Sequence, residues 1–470
     1  KEREKMAQRA VMDAVAPSPL NVQTIWAGTD DGRVHITTDS GDNWKDITPN
    51  TLSSWDKVAQ IDASHYDVHT AYIAINAMKK DDMTPYLYKT TNGGNTWHLI
   101  TNGMNPNGPV NVIREDPKQP GLLYAGTERN VYFSVDDGAN WQSLRNNMPA
   151  TSIRDLVIHE DDLVVGTHGR SIWILDNIAP LREMAKAIQM RTYLFAPTMT
   201  TRVRNNMFHD TPLPPEEPTG QNPPDGAILD YHLTAPAQSV TLEILNADRS
   251  IIRTYTNADV SEKVDTTTQR HPTYWMRPEQ TLGTTQGHHR FIWDLKYAPP
   301  KGASREFSIA AVYKNTPSGP FGPLVNPGTY RVRLTVDGTI SEQPLTIRMD
   351  PRVSITENAL NTQFKLSMDG YLTYHNLQGI IEAIDEQKNP SPLALALRGK
   401  GSSSDQDVLY GSIRATAIAN ETLVNLQDKF IYMINVLQSA DAMPTSQVQK
   451  GMKDLLETAE ALEARWKKIK

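Results

Sequence analysis

The chain has 470 residues, a formal net charge of −7, 21% charged residues and no cysteine. This length accommodates about three domains of ordinary size. The charge balance points to neither nucleic acid nor an anionic membrane, and the absence of thiols excludes disulfides, thiolate metal sites and cysteine nucleophiles. No apolar run approaches the ~18 residues of a membrane span, and the charged opening from Lys1 shows no signal-peptide pattern.

In chain order, short alternating runs rich in Val, Ile, Tyr and Trp predict strands in groups. The first group is 11–16, 24–29, 33–38 and 44–48. The second is 58–63, 71–77, 85–90 and 96–100, and the third 110–114, 122–127, 131–135 and 141–144. A fourth group offers only 153–159, 163–167 and 172–175 before helix-like text begins at Pro180. Residues 181–225 read as a crossover and a Pro-rich linker. A second β region, 226–352, has strands at 227–233, 239–245, 251–256, 289–295, 329–336 and 343–349. Its spacing predicts an antiparallel sandwich of immunoglobulin or fibronectin-like form, with 298–328 a long surface loop. Across 353–470 the apolar period becomes 3.6, predicting helices at 357–386, 407–439 and beyond Thr445. The last carries Val448, Met452, Leu455, Ala459, Leu462, Trp466 and Ile469 on one face, as a three-helix bundle requires.

One pattern, Ser/Thr-x-Asp/Asn-x-Gly-x-x-Trp, occurs three times, at 37–44, 90–97 and 134–141. It places Asp39, Gly41 and Trp44, then Asn92, Gly94 and Trp97, then Asp136, Gly138 and Trp141 at matching positions. The carboxylate or amide can accept backbone N–H bonds in a tight turn. Glycine supplies a positive φ, and tryptophan is an apolar anchor whose N–H still needs a partner.

These motifs resemble the Asp-box, or BNR, repeat of sialidases, xyloglucanases and the sortilin propeller. The text at 28–34, 81–86, 114–117, 121–127, 167–176, 290–295 and 327–332 resembles the C-terminal part of bacterial sortilin-like or BNR-repeat "glycosyl hydrolases". The resemblance implies a mainly β chain. Residues 1–180 would be the C-terminal, four-stranded blades of a β-propeller, followed by the sandwich and the helical bundle. It also implies export from a bacterium, to the periplasm, the surface or the medium, and further blades upstream. The fourth group lacks an outer strand, and a propeller closes to remove free edges. Its outer strand is therefore expected from an N-terminal propeller portion outside this chain, in the same gene product or a separate one.

Blade geometry would put the repeated motifs on one rim and the remaining turns on the other. Those turns carry Asp30, Asp31, Trp55, Lys57, Asp81, Asp82, Glu128, Arg129, His168 and Arg170. Two functions fit such a rim. One is a binding or scaffold protein for a peptide, glycan or partner protein, with Trp55, Arg129, His168 and Arg170 as ligand-binding residues. A sortilin-like peptide carrier is a variant of it. The other is a glycoside hydrolase acting on a polysaccharide such as xyloglucan, with Asp81 or Asp82 paired to Glu128 as catalytic carboxylates. The run His168-Gly169-Arg170 reads as a tight turn with Arg170 paired to a carboxylate. No cofactor or metal is implied. Adjacent His288 and His289 on a strand point to opposite faces, and Asp136-Asp137-Gly138 lacks EF-hand spacing. No phosphate loop, dinucleotide fingerprint or nucleophile elbow is present.

Overall fold

The computed structural model describes residues 10–204, 216, 220, 222–260, 275–303, 306–307, 316, 318–400 and 421–470. The chain is mainly β, with most of its helices toward the C-terminus, and divides into two compact units, Lys1–Met190 and Arg191–Lys470.

The first unit is a series of antiparallel meanders. Strands β1 (Met12–Pro17), β2 (Ile25–Thr29), β3 (Val34–Thr37) and β4 (Lys45–Asp46) pair in chain order. So do β5 (Lys57–Ala63), β6 (Ala71–Asn76), β7 (Tyr86–Thr90) and β8 (His98–Leu99), and then β9 (Val110–Glu115), β10 (Leu123–Thr127), β11 (Val131–Ser134) and β12 (Gln142–Ser143). The last sheet has three strands, β13 (Ile153–His159), β14 (Asp162–Thr167) and β15 (Ile172–Leu175). The outer strands are shorter than the sequence pattern predicts. Past two residues the ladder continues through one N–H, as from Ile47 to the Val34 carbonyl at 2.9 Å.

Successive sheets share apolar interfaces. Ile47, Val58 and Ile73 lie in the core between the first two, and Tyr72, Leu123 and Trp141 between the second and third. Val112, Leu156 and Leu163 lie between the third and fourth. Every first strand is bulged at the same place, leaving Asp13, Ala59, Asn111 and Arg154 as the extra residues. A bulge twists the strand and re-aims the side chain it carries. Helix α1 (Ala179–Ala187) closes the unit. Its Arg182 binds Asp116, whose side chain is fully buried, at 3.1 Å, and also binds Asp161.

The second unit contains β16 (Thr192–Leu194), β17 (Thr200–Arg202), β18 (Ala227–Leu233), β19 (Val240–Leu245), β20 (Ile251–Thr256), β21 (Gly287–Trp293), β22 (Glu306–Phe307), β23 (Ser318–Gly319), β24 (Gly328–Val336) and β25 (Thr339–Met349). One sheet has the order β16-β18-β21 and the other β17-β25-β24-β19-β20, while β22 and β23 pair alone. The two larger sheets share one core, with Leu229, Tyr231, Trp293, Leu242, Val332 and Ile347 inside. The stretch read as a linker therefore supplies strands to both sheets. β16 and β17 are too short to show a period, and β17 pairs in parallel with β25.

Helices α2 (Glu357–Asp385), α3 (Pro392–Arg398), α4 (Leu423–Leu437) and α5 (Ser446–Ile469) follow. The side chains of Thr356, Ser391, Thr422 and Thr445 cap their N-termini. The α5 stripe packs in one core with Leu377, Ile384 and Phe430. Helix α3 falls in the interval between the first two expected helices, and the start of the second, 407–420, lies outside the described residues. Arg202, 1% exposed, joins the helices to the sheets through Asp441 at 2.8 Å. The Tyr371 and Tyr374 hydroxyls donate to the carbonyls of Ala298 and Lys301.

Candidate functional site

The repeated motif builds the same turn three times. The Thr37 hydroxyl donates to Asp39 at 2.7 Å and accepts the Gly41 N–H, and Asp39 accepts the Asn43 N–H at 2.9 Å. Thr90, Asn92, Gly94 and Thr96 repeat these bonds, as do Ser134, Asp136, Gly138 and Asn140. The outer oxygen of Asp39 and of Asp136 accepts the side-chain amide of Asn43 and Asn140, each at 2.8 Å. Where the motif has Asn92, that position offers an amide donor, and the facing residue is Thr96, whose hydroxyl accepts at 2.8 Å. The Asn43 bonds hold the Asp39 carboxyl down at about 2.

The tryptophans connect neighbouring sheets. Trp97 donates its indole N–H to the Ile47 carbonyl at 2.8 Å, and Trp141 donates to the Ile100 carbonyl at 2.7 Å. Gly94 lies over Ile47 and Gly138 over Ile100, so closely that a Cβ would stand 2.5 and 2.6 Å from their side chains. Trp44 precedes the first outer strand, has no earlier sheet to receive it among the described residues, and is 43% exposed.

The bulges gather polar residues at the opposite ends of the sheets. Lys57 binds Asp13 at 2.6 Å. The Asn76 amide donates to Asn111, and Asn111 donates to Glu128 at 2.9 Å and to the Ile153 carbonyl. Arg154 meets Glu128 at 3.3 Å. Asp30 accepts the Val11 N–H at 2.9 Å and the Lys79 ammonium at 3.3 Å, and the former bond above all lowers its pKa. Lys79 also stands 5.1 Å from the centre of the Trp55 ring, within cation–π range. Trp55 has φ 72° and donates its backbone N–H to the Asp31 carbonyl. Asp81 ends a single 3₁₀ turn in the left-handed conformation. Asp82 accepts the Thr84 N–H at 2.9 Å and the Tyr86 hydroxyl at 2.8 Å, and the backbone bond leads in holding its carboxyl below the usual range.

Glu128 is thus joined to the third and fourth sheets, while Asp81 and Asp82 sit in a separate turn of the second. Arg129 donates its backbone N–H to the Thr127 hydroxyl. His168 donates its backbone N–H to Ser152, and the Arg170 carbonyl accepts the Trp173 indole N–H at 2.8 Å. The expected carboxylate for Arg170 does not pair with it among the described residues. Glu128, in the preceding turn, finds Arg154 on the next sheet, and among the described residues the first unit has no sheet after β13-β14-β15.

A second polar row runs along the first strands. Arg114 binds Asp62 at 3.4 Å and Asp155 at 3.1 Å, and donates to the Leu156 carbonyl. Burial pushes the Asp62 carboxyl up, against the Glu115 N–H and the Arg114 charge. Glu115 accepts the Ser64 hydroxyl at 2.7 Å and the His65 N–H. Sequence reasoning missed Asp62, Asn111, Arg154 and Asp155. The available signal was polar residues recurring on otherwise apolar first strands. In the second unit, His288 meets Asp230 at 3.0 Å while His289 stacks on Tyr231. No cluster among the described residues could hold a metal ion.

No protein-family model matches the chain, and no curated protein matches it. Among solved structures it is similar to YCF48 bound to D1 peptide, at 18% identity and TM-score 0.29, over 36% of this chain and 51% of that one. The GH74 enzyme of Niastella koreensis matches at 19% identity and TM-score 0.28, over 33% of this chain and 26% of that one. An ancestral GH74 enzyme matches at 14% identity and TM-score 0.29, over 71% of this chain and 40% of that one.

Proposed function

We propose that the first unit is part of a β-propeller with Asp-box blades, belonging to an exported bacterial binding or scaffold protein. The bulged ends of its sheets hold a peptide, glycan or partner protein, with Trp55, Arg129, His168 and Arg170 at the contact surface. An immunoglobulin- or fibronectin-like sandwich and a three-helix bundle make up the second unit. An N-terminal propeller portion completes the ring.

The observation that favours binding over hydrolysis is how the candidate carboxylates are occupied. A two-carboxylate glycosidase needs one acid kept protonated to reach its leaving group. Asp82 is held low by the Thr84 N–H, and Glu128 is engaged by Asn111 and Arg154. The carboxyl held low at Asp82 is a fixed negative charge suited to recognition, and the Glu128 side chain is committed to contacts between sheets. Asp81, Asp82 and Glu128 are the residues to test. Incubation with xyloglucan and β-glucan oligomers should leave them intact. Turnover that disappears in Asp82→Asn or Glu128→Gln would instead establish the hydrolase.

One feature favours the alternative, a glycoside hydrolase acting on a polysaccharide such as xyloglucan. Asp62 is a carboxyl pushed upward by burial, and it shares the Arg114 guanidinium with Asp155. If that pair is catalytic, hydrolysis is lost in Asp62→Asn and is indifferent to Asp82→Asn.

A further inference from the structure

The indole bonds repeat from sheet to sheet, and the last interface lacks one. At each earlier interface the residue after the outer strand, Ile47 or Ile100, donates its N–H within its own sheet. Its carbonyl accepts the next sheet's tryptophan, and its side chain lies under the next sheet's motif glycine. Leu144 holds this position in the third sheet, with its N–H on the Val131 carbonyl at 2.8 Å. No donor reaches the Leu144 carbonyl among the described residues.

An apolar groove opens there, lined by Leu144, Met148, Leu163, Val165 and Trp173. Its walls match the preceding interface by register. Leu163 and Trp173 hold the places of Leu123 and Tyr132, and Leu144 and Met148 those of Ile100 and Met104. Trp141 completes the earlier interface, and the groove has no counterpart to it. Beside it, β15 is an edge strand among the described residues, and on the face opposite Trp173 its Ile172 and Ile174 are 70% and 58% exposed. At the other end of the series the first sheet shows the converse. Trp44 is 43% exposed, and Val11, Met12 and Val15 are each 57% exposed, on a sheet with no predecessor among the described residues.

We infer that this groove is a tryptophan seat. Its occupant is an extended segment of the N-terminal propeller portion that carries its own Ser/Thr-x-Asp/Asn-x-Gly-x-x-Trp motif. The segment adds to the β15 edge, places its glycine over Leu144 and donates its indole N–H to the Leu144 carbonyl. This rests on the reading that the fourth sheet is completed from outside. It adds the side chain the completing strand must bear. Main-chain pairing along an edge supplies affinity, and a side chain filling a pocket supplies selection.

The test uses the full chain and a peptide copying residues 90–102, labelled with 5-fluorotryptophan and titrated by fluorine NMR. The peptide is expected to bind with a shifted indole resonance. Alanine in place of its tryptophan is expected to weaken competition at least about tenfold, and Trp173→Arg in the protein to abolish the shift. Equal competition by the two peptides overturns the seat but leaves the open edge intact. No binding of either at millimolar concentration overturns both. A dimer of the chain that dissociates on Trp44→Ala assigns the groove to a second copy and overturns the proposed occupant.

Discussion

Asp136 faces an amide donor from Asn140, whose own oxygen accepts from Asn102 at 2.7 Å. Asp136→Asn sets two donors against each other, and Asn102 opposes the flip of Asn140 that would relieve them. A loss of about 1 kcal/mol is expected in urea denaturation. Adding Asn140→Thr recreates the Asn92–Thr96 arrangement and should recover most of that loss, a positive coupling in a double-mutant cycle. Acid acts on the same motif. Because the folded pKa of Asp39 is depressed from 3.8 to about 2, its contribution is present above 3.8 and is lost as the pH falls through about 2. Carboxyl carbon NMR should place the Asp39 midpoint near 2. The turn built on Asn92 has no such titration. The three motifs were legible from their spacing. The pairing of Asp with Asn and of Asn with Thr became interpretable only once the facing atoms were known.

Between elements, the indole bonds and the α1 clamp connect neighbouring sheets. Trp141 is 3% exposed and Trp44 is 43% exposed, so one substitution should act differently at the two sites. Trp141→Phe keeps an aromatic ring but leaves the part-buried Ile100 carbonyl without its donor, costing about 1 kcal/mol. Trp44→Phe should change stability by less than about 0.5 kcal/mol. Arg182→Ala strands the buried Asp116 carboxylate, and a loss of about 3–5 kcal/mol is expected in the same denaturation experiment. The meander strands were readable because apolar alternation sets which face is buried. The bulges were not, since Asp13, Ala59, Asn111 and Arg154 share no residue type. β16 and β17, at three residues each, carry no period, and α3 was concealed by its flanking proline and glycine. The missed polar row of Asp62, Arg114 and Asp155 depends on contacts between successive sheets. Sequence alternation within one strand does not specify such contacts.

For the whole molecule, a series of similar sheets leaves two surfaces that its own repeat does not satisfy. One is the Trp44 face of the first sheet and the other is the β15 edge of the last. An uncovered strand edge invites pairing with another chain. The proposed N-terminal propeller portion would cover both surfaces. The most direct measurement is hydrogen exchange over residues 172–175, in the isolated chain and in the protein purified whole from its source. Rapid exchange in the isolated chain and strong protection in the whole protein are predicted. Equally rapid exchange in both would contradict completion at β15.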